Sequence, residues 1–218
     1  MKLVFGVLFA TAAASTAALV GLVGLVAVVA GGVIADANVV GSYALPLPVE
    51  LVSEATLAAP HHDYAAWDAA VPVGTPIYAI TNGTVATAST TGLYPADPNR
   101  CGTTIATAGD DGAHYVYCHL SRIDVRAGDL VVAGQQIGLS GGTPGAPGAG
   151  NTTGPHLHLG IRVDGVTVCP QPLLLSIHRG APISPTDAPT SGCSSPGSEL
   201  DWPTWLDQNH PRSIGSTE

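Results

Sequence analysis

A mainly β, antiparallel domain preceded by a membrane helix is the fold class predicted for this 218-residue chain, on two observations. Between residues 59 and 178, Val, Ile, Thr and Gly abound. Turn signals at Asn82-Gly83, Asp110-Asp111-Gly112 and Asp164-Gly165 separate short runs there, the composition of hairpin-linked strands. Ahead of this region, an apolar run from Leu3 to Ala35 carries no charge at all. No segment of the core predicts a helix, so the membrane segment is the clearest helix of the chain.

Taken in order, residues 1–36 are a signal anchor or signal peptide. The run exceeds the roughly 20 apolar residues that cross a hydrocarbon core of about 30 Å, and it is longer than the apolar region of about 7–15 residues in a cleaved signal. An uncleaved anchor is therefore favoured, although Ala10-Thr11-Ala12-Ala13-Ala14-Ser15 offers small residues for cleavage. Lys2 on the inner side leaves the rest of the chain outside. Residues 37–58 form a linker and first strand, where Leu45-Pro46-Leu47-Pro48 discourages helix. Residues 59–178 make the β domain. Within it, 141–153 is a Gly/Pro-rich loop expected to edge a groove and to move. Residues 179–218 are a Pro/Ser-rich tail, expected to be irregular, with Trp202 and Trp205 available to dock it.

Composition narrows the function. Only 11% of residues are charged and the formal net charge is −9, so no basic face for nucleic acid is expected. Four cysteines, all outside the apolar run, suit an exported chain with disulfides, for which three connectivities exist. Cys101 and Cys118 flank a hairpin, and Cys169 and Cys193 bracket the start of the tail, which predicts those two pairs. Cysteine ligation of zinc is disfavoured because no Cys-x-x-Cys spacing exists.

The chemistry concentrates in three segments. Gly154-Pro155-His156-Leu157-His158-Leu159-Gly160 places two histidines on one face of a strand. Upstream lie His61-His62-Asp63-Tyr64-Ala65-Ala66-Trp67-Asp68 and Tyr115-Val116-Tyr117-Cys118-His119-Leu120. Together with Pro72-Val73-Gly74-Thr75-Pro76 and the turn Gly134-Gln135-Gln136-Ile137-Gly138, these segments resemble, over about residues 59–170, the lysostaphin-type (LytM-type) zinc metallopeptidases. The resemblance implies an antiparallel β-sandwich or half-barrel of the duplicated hybrid motif. It also implies an enzyme of the cell envelope, anchored or secreted, that hydrolyses peptide bonds of peptidoglycan.

The same resemblance implies that zinc is held by His62, Asp68 and His158, with His119 and His156 as catalytic non-ligand histidines. One of these would accept the proton of the attacking water and the other would stabilise the oxyanion. The usual family spacing, His-x-x-x-Asp, lands on Tyr64 when counted back from Asp68, so His61 and His62 compete for the ligand position. His62 is preferred because it shares a face with Asp68 if the segment is extended. That departure sustains an alternative, a catalytically silent relative that binds the wall or activates an amidase. Tyr117 is expected to share its face with His119, lining the site or packing. His114 is expected to be a surface strand residue, and His178 and His210, outside the motif segments, are expected to have no direct function. The turn at Gly128–Gly138 also resembles biotin and lipoyl carriers, but a carrier needs a lysine at a hairpin tip and the chain's one lysine is Lys2.

Overall fold

The computed structural model describes residues 38–92, 100–194 and 202–210, all within the unit Gly31–Glu218. The apolar run expected to anchor the chain lies outside these residues. Among the described residues no helix is long and apolar enough to cross a membrane.

The chain enters through a short hairpin, β1 (Val39–Val40) and β2 (Tyr43–Ala44). Its continuation packs inward, because Leu45 and Leu47 are fully buried and Pro46 and Pro48 keep the backbone extended between them. A one-turn helix, α1 (Glu54–Ala58), follows, capped by the Ser53 hydroxyl accepting from the Thr56 N–H at 3.2 Å. Strands β3 (Trp67–Ala69), β4 (Pro76–Tyr78), β5 (Gly83–Ser89), β6 (Thr104–Gly109), β7 (Ala113–Cys118), β8 (Leu120–Ile123), β9 (Leu130–Val131), β10 (Gln136–Ser140), β11 (Leu157–Val163) and β12 (Val166–Val168) then build the β domain.

Among the described residues every strand pairs antiparallel. One sheet runs β12-β11-β7-β6-β5-β9 with β3 added to β11, and a smaller one runs β4-β10-β8. Alternation along β11 shows how the sheet is sided. Leu157, Leu159 and Ile161 are fully buried in the core, while His158, Gly160 and Arg162 point to the opposite face. The Leu, Ile and Tyr side chains of β7, β10 and β11 share one core with the apolar side chains after β2. The expectation of a mainly β, antiparallel domain holds.

The absence of a core helix does not hold. Helix α2 (Pro170–His178) follows β12 and is buried along almost its whole length. Two physical features conceal it in the sequence. Pro170 and Pro172 read as helix breakers, yet in the first turn their missing N–H groups cost no intrahelical bond. Leu173, Leu174, Leu175 and Ile177 are all buried, so the helix has no polar face to give a periodic signal.

Both expected disulfides form, Cys101–Cys118 and Cys169–Cys193. The tail is more ordered than expected. Ile183, Ala188 and Cys193 are buried, and a helix, α3 (Trp202–Asn209), contributes buried Leu206 and partly buried Trp205 to the core. The Trp202 side chain lies outside the described residues.

Candidate metal centre and active groove

Cross-strand register assembles the site. Strand β3 lies against β11 with Asp68 opposite His158, and β7 lies on the other side of β11 with Cys118 opposite His158. Directly opposed residues bring their side chains together. The Asp68 Oδ1 and His158 Nδ1 atoms are accordingly 2.8 Å apart.

His156 precedes β11 and bridges to Gly141. Its Nδ1–H donates to the Gly154 carbonyl at 2.8 Å, and the Thr152 hydroxyl lies 3.2 Å from the same nitrogen. This turns Nε2 toward Asp68, 3.7 Å from Oδ1.

His119 reaches the same face by a backbone device. As the residue after β7 it has φ +60°, a conformation few non-glycine residues adopt and one that collects at functional sites. Simple alternation would have put it beside Tyr117. Tyr117 instead points into the core, where its hydroxyl accepts from the Ile80 N–H at 3.0 Å, and His119 swings to the groove. The expected shared face fails for that reason.

The 141–153 loop is tied to this histidine. The Ala149 carbonyl accepts from His119 Nδ1–H at 2.7 Å, and the Gly148 carbonyl accepts from the Thr103 N–H at 2.7 Å. Gly102 permits that approach, since a Cβ there would stand 2.1 Å from the Gly148 oxygen. Burial depresses the His119 pKa to about 4, against partial support from the Ala149 carbonyl. The ring is therefore neutral at pH 7, with the proton on Nδ1 and a lone pair on Nε2.

The segment 61–66 is a turn rather than a strand, so the extended-chain argument linking His62 to Asp68 does not apply. His61 is 2% exposed and its Nε2 lies 3.4 Å from Asp68 Oδ2. The His62 side chain is 75% exposed, with its Nδ1 4.0 Å from the same oxygen. Ligand-type atoms of His61, His62 and Asp68 all lie within 4.8 Å of one another. His61 is further oriented by Asp63, whose carboxylate sits 2.9 Å from Nδ1 and accepts the proton there. With the proton there, that nitrogen has no lone pair for the Asp63 and Tyr64 N–H groups 3.4 Å away.

Three structural ties hold the turn. The Cys193 carbonyl accepts from the His61 N–H at 3.0 Å. The Gln171 side-chain amide of α2 donates to the Ala59 and Ala66 carbonyls at 3.0 and 2.9 Å. Burial lowers the His61 pKa, which keeps this imidazole neutral. For Asp68, burial acts to raise the pKa but is outweighed by the hydrogen bond from His158 and by the electrostatic influence of the surrounding imidazoles, so the carboxyl stays ionised.

Two imidazole nitrogens and one ionised carboxylate thus converge, a donor set that fits zinc by its chemistry. The groove around them, about 910 Å³, is lined by all five histidines of the three segments and by Asp68.

Sequence reasoning gave no role to two residues of this groove. Tyr64, the position reached by the usual family spacing, places its hydroxyl 3.1 Å from His158 Nε2. Arg100 stacks its guanidinium over the Tyr64 ring at 4.9 Å. The mismatch at Tyr64 was the one signal available, and nothing in the sequence marked Arg100.

The model of the family described as Peptidase family M23 matches residues 62–170. Glycyl-glycine endopeptidase ALE-1 of Staphylococcus capitis is 41% identical over 87 residues, covering 39% of this chain and 21% of that protein. Peptidoglycan DD-endopeptidase ShyA of Vibrio cholerae is 39% identical over 111 residues, covering 49% and 21%. The chain therefore spans about a fifth of the length of these curated relatives. Among solved structures, the catalytic domain of lysostaphin from Staphylococcus simulans has 31% identity, covers 54% of this chain and 88% of that one, and gives a TM-score of 0.45.

Proposed function

The chain belongs to peptidase family M23, and from that premise we propose that it is a zinc-dependent endopeptidase hydrolysing peptide bonds of bacterial peptidoglycan during wall remodelling or division. The observation that carries this reading is the convergence on Asp68 of His61 Nε2, His158 Nδ1 and His156 Nε2, with the His119 ring beside them.

In this reading His61, Asp68 and His158 hold the metal. The burial of His61 and the exposure of His62 favour His61 over the expected His62. Asp63 and Tyr64 are the outer partners that set which nitrogen of each histidine is free to bind. Zinc held there would supply Lewis acidity for the scissile carbonyl and make water nucleophilic near neutral pH.

The protein's own groups do the rest. His119, neutral and fixed by Ala149, accepts the proton of the attacking water at Nε2 and passes it to the leaving amine. His156, whose Nδ1 is occupied by Gly154, directs Nε2 to the groove and takes the remaining role of donating to the oxyanion. Thr152 and the Gly154 carbonyl hold its ring. An extracytoplasmic location follows from the substrate and agrees with two disulfides. Attachment through residues 1–36 remains part of the proposal. The silent alternative rests on the displaced spacing, and the buried His61 beside Asp68 supports the enzyme reading over it.

Zinc content of the full chain and three variants tests the ligand set. Near-stoichiometric zinc is expected in wild type and His62→Ala, with loss in His61→Ala and Asp68→Ala. Retention of zinc by His61→Ala and its loss in His62→Ala would restore the first expectation. Chelator-sensitive release of peptides from purified peptidoglycan tests the activity, and zinc binding without any release would favour the silent reading.

A further inference from the structure

The groove extends beyond the histidines along the outward face of β11. His158, Gly160 and Arg162 follow one another on that face, so Arg162 lies about 13 Å along the strand from His158 at roughly 3.3 Å per residue. Gly160 between them leaves the floor flat, with nothing within 4 Å of where a Cβ would stand.

Cross-strand register sets Thr167 of β12 on one side of Arg162 and His114 of β7 on the other. Three side chains able to donate hydrogen bonds therefore cross the sheet in one row. Among the described residues no carboxylate pairs with Arg162, including Asp164 two positions on at the hairpin tip. That contrasts with Arg122, paired with Asp124, and Arg179, paired with Glu54 and Asp207. In a chain with seven Lys and Arg against sixteen Asp and Glu, an unpaired cation on a groove floor is not explained by overall charge.

Building on the endopeptidase reading above, we propose that Arg162, with Thr167 beside it, is a subsite for a free carboxylate of the substrate. The substrate class is then an anionic wall peptide, not a neutral oligoglycine bridge. An extended peptide covers about 3.3–3.6 Å per residue, so the carboxylate belongs about four residue lengths from the scissile bond. Planar guanidinium suits bidentate capture of a carboxylate, which lysine does less well.

The test uses the full zinc-loaded chain and two synthetic labelled stem-peptide dimers that differ only in having a free carboxylate or its amide at that distance. Binding is read by fluorescence anisotropy and hydrolysis by mass spectrometry. Wild type is expected to prefer the carboxylate form about tenfold in kcat/KM and in affinity, more at low salt than at high salt. Arg162→Gln is expected to erase the preference for the carboxylate form in both readouts. Arg162→Lys is expected to keep part of it, and Arg126→Gln, outside the groove lining, all of it.

Equal binding and hydrolysis of the two forms by wild type would overturn the subsite while leaving the endopeptidase intact. Preferential binding of the carboxylate form with no hydrolysis of either would support the subsite and overturn the endopeptidase reading. A preference that survives in a folded Arg162→Gln variant, checked by circular dichroism, would also overturn the subsite.

Discussion

His158 is constrained at both ring nitrogens, by Asp68 at Nδ1 and by the Tyr64 hydroxyl at Nε2. A phenol can donate to Nε2 or accept from it, and it accepts when Nδ1 is the ligand atom. Removing that hydroxyl leaves the ring free to change tautomer and orientation. Tyr64→Phe is therefore expected to weaken zinc binding 10-fold or more, within the roughly 10–100-fold range of outer-partner losses. Zinc competition with a fluorescent chelator measures this, and an unchanged affinity would show that Tyr64 only packs. The five expected site residues, His62, Asp68, His119, His156 and His158, all line one groove: strand register sets Asp68 against His158, a positive φ turns His119 to the same side, and a bridge to Gly141 holds His156. The first of these positions was ambiguous because it lies in a turn. There, neighbouring residues diverge, and His61 is buried while His62 is exposed.

At the scale of elements, the turn bearing His61 depends on helix α2, which the sequence did not announce. Gln171 is fully buried and its amide holds both ends of that turn, at Ala59 and Ala66. Replacing it with leucine keeps the bulk but strips the buried Ala66 carbonyl and the half-buried Ala59 carbonyl of their donor, at a cost of about 1–3 kcal/mol for the buried group left unsatisfied. Gln171→Leu is expected to lower the melting temperature by several degrees and to weaken zinc binding, although residue 171 touches no proposed ligand. Thermal denaturation beside the same zinc competition decides it. A destabilised variant with wild-type zinc affinity would show that the turn holds its geometry alone. The strands were readable from turn signals such as Asp164-Gly165, which does close the β11–β12 hairpin. β3 has three residues, too few to alternate visibly, and α2 hides behind prolines and a uniformly apolar composition.

Taken as a whole molecule, the tail supports the turn that carries His61. The Cys169–Cys193 disulfide fixes the tail to the base of α2, the Cys193 carbonyl accepts from the His61 N–H, and Ser194 bridges His61 in parallel. Farther along, Leu206 is buried, and Arg179 joins Glu54 before the β domain to Asp207 in α3. A tail that merely blocked the groove would instead lie across His156 and His119, whereas the described tail residues are absent from the groove lining. Deleting residues 181–218 removes the buried Ile183, Ala188 and Leu206 side chains and leaves Cys169 without its partner. Each large apolar side chain contributes about 1.5–3 kcal/mol on burial, and loss of a disulfide of this span costs about 2–5 kcal/mol. The truncated chain is therefore expected to unfold at lower temperature, to bind zinc more weakly and to release less peptide from peptidoglycan per molecule. Cys193→Ser separates the two contributions, since it keeps the apolar tail and removes only the covalent tie, and a smaller loss of zinc affinity is expected from it than from truncation. A truncated chain with full zinc and higher specific activity would reverse the argument, making the tail an inhibitory strap and His61 self-supporting.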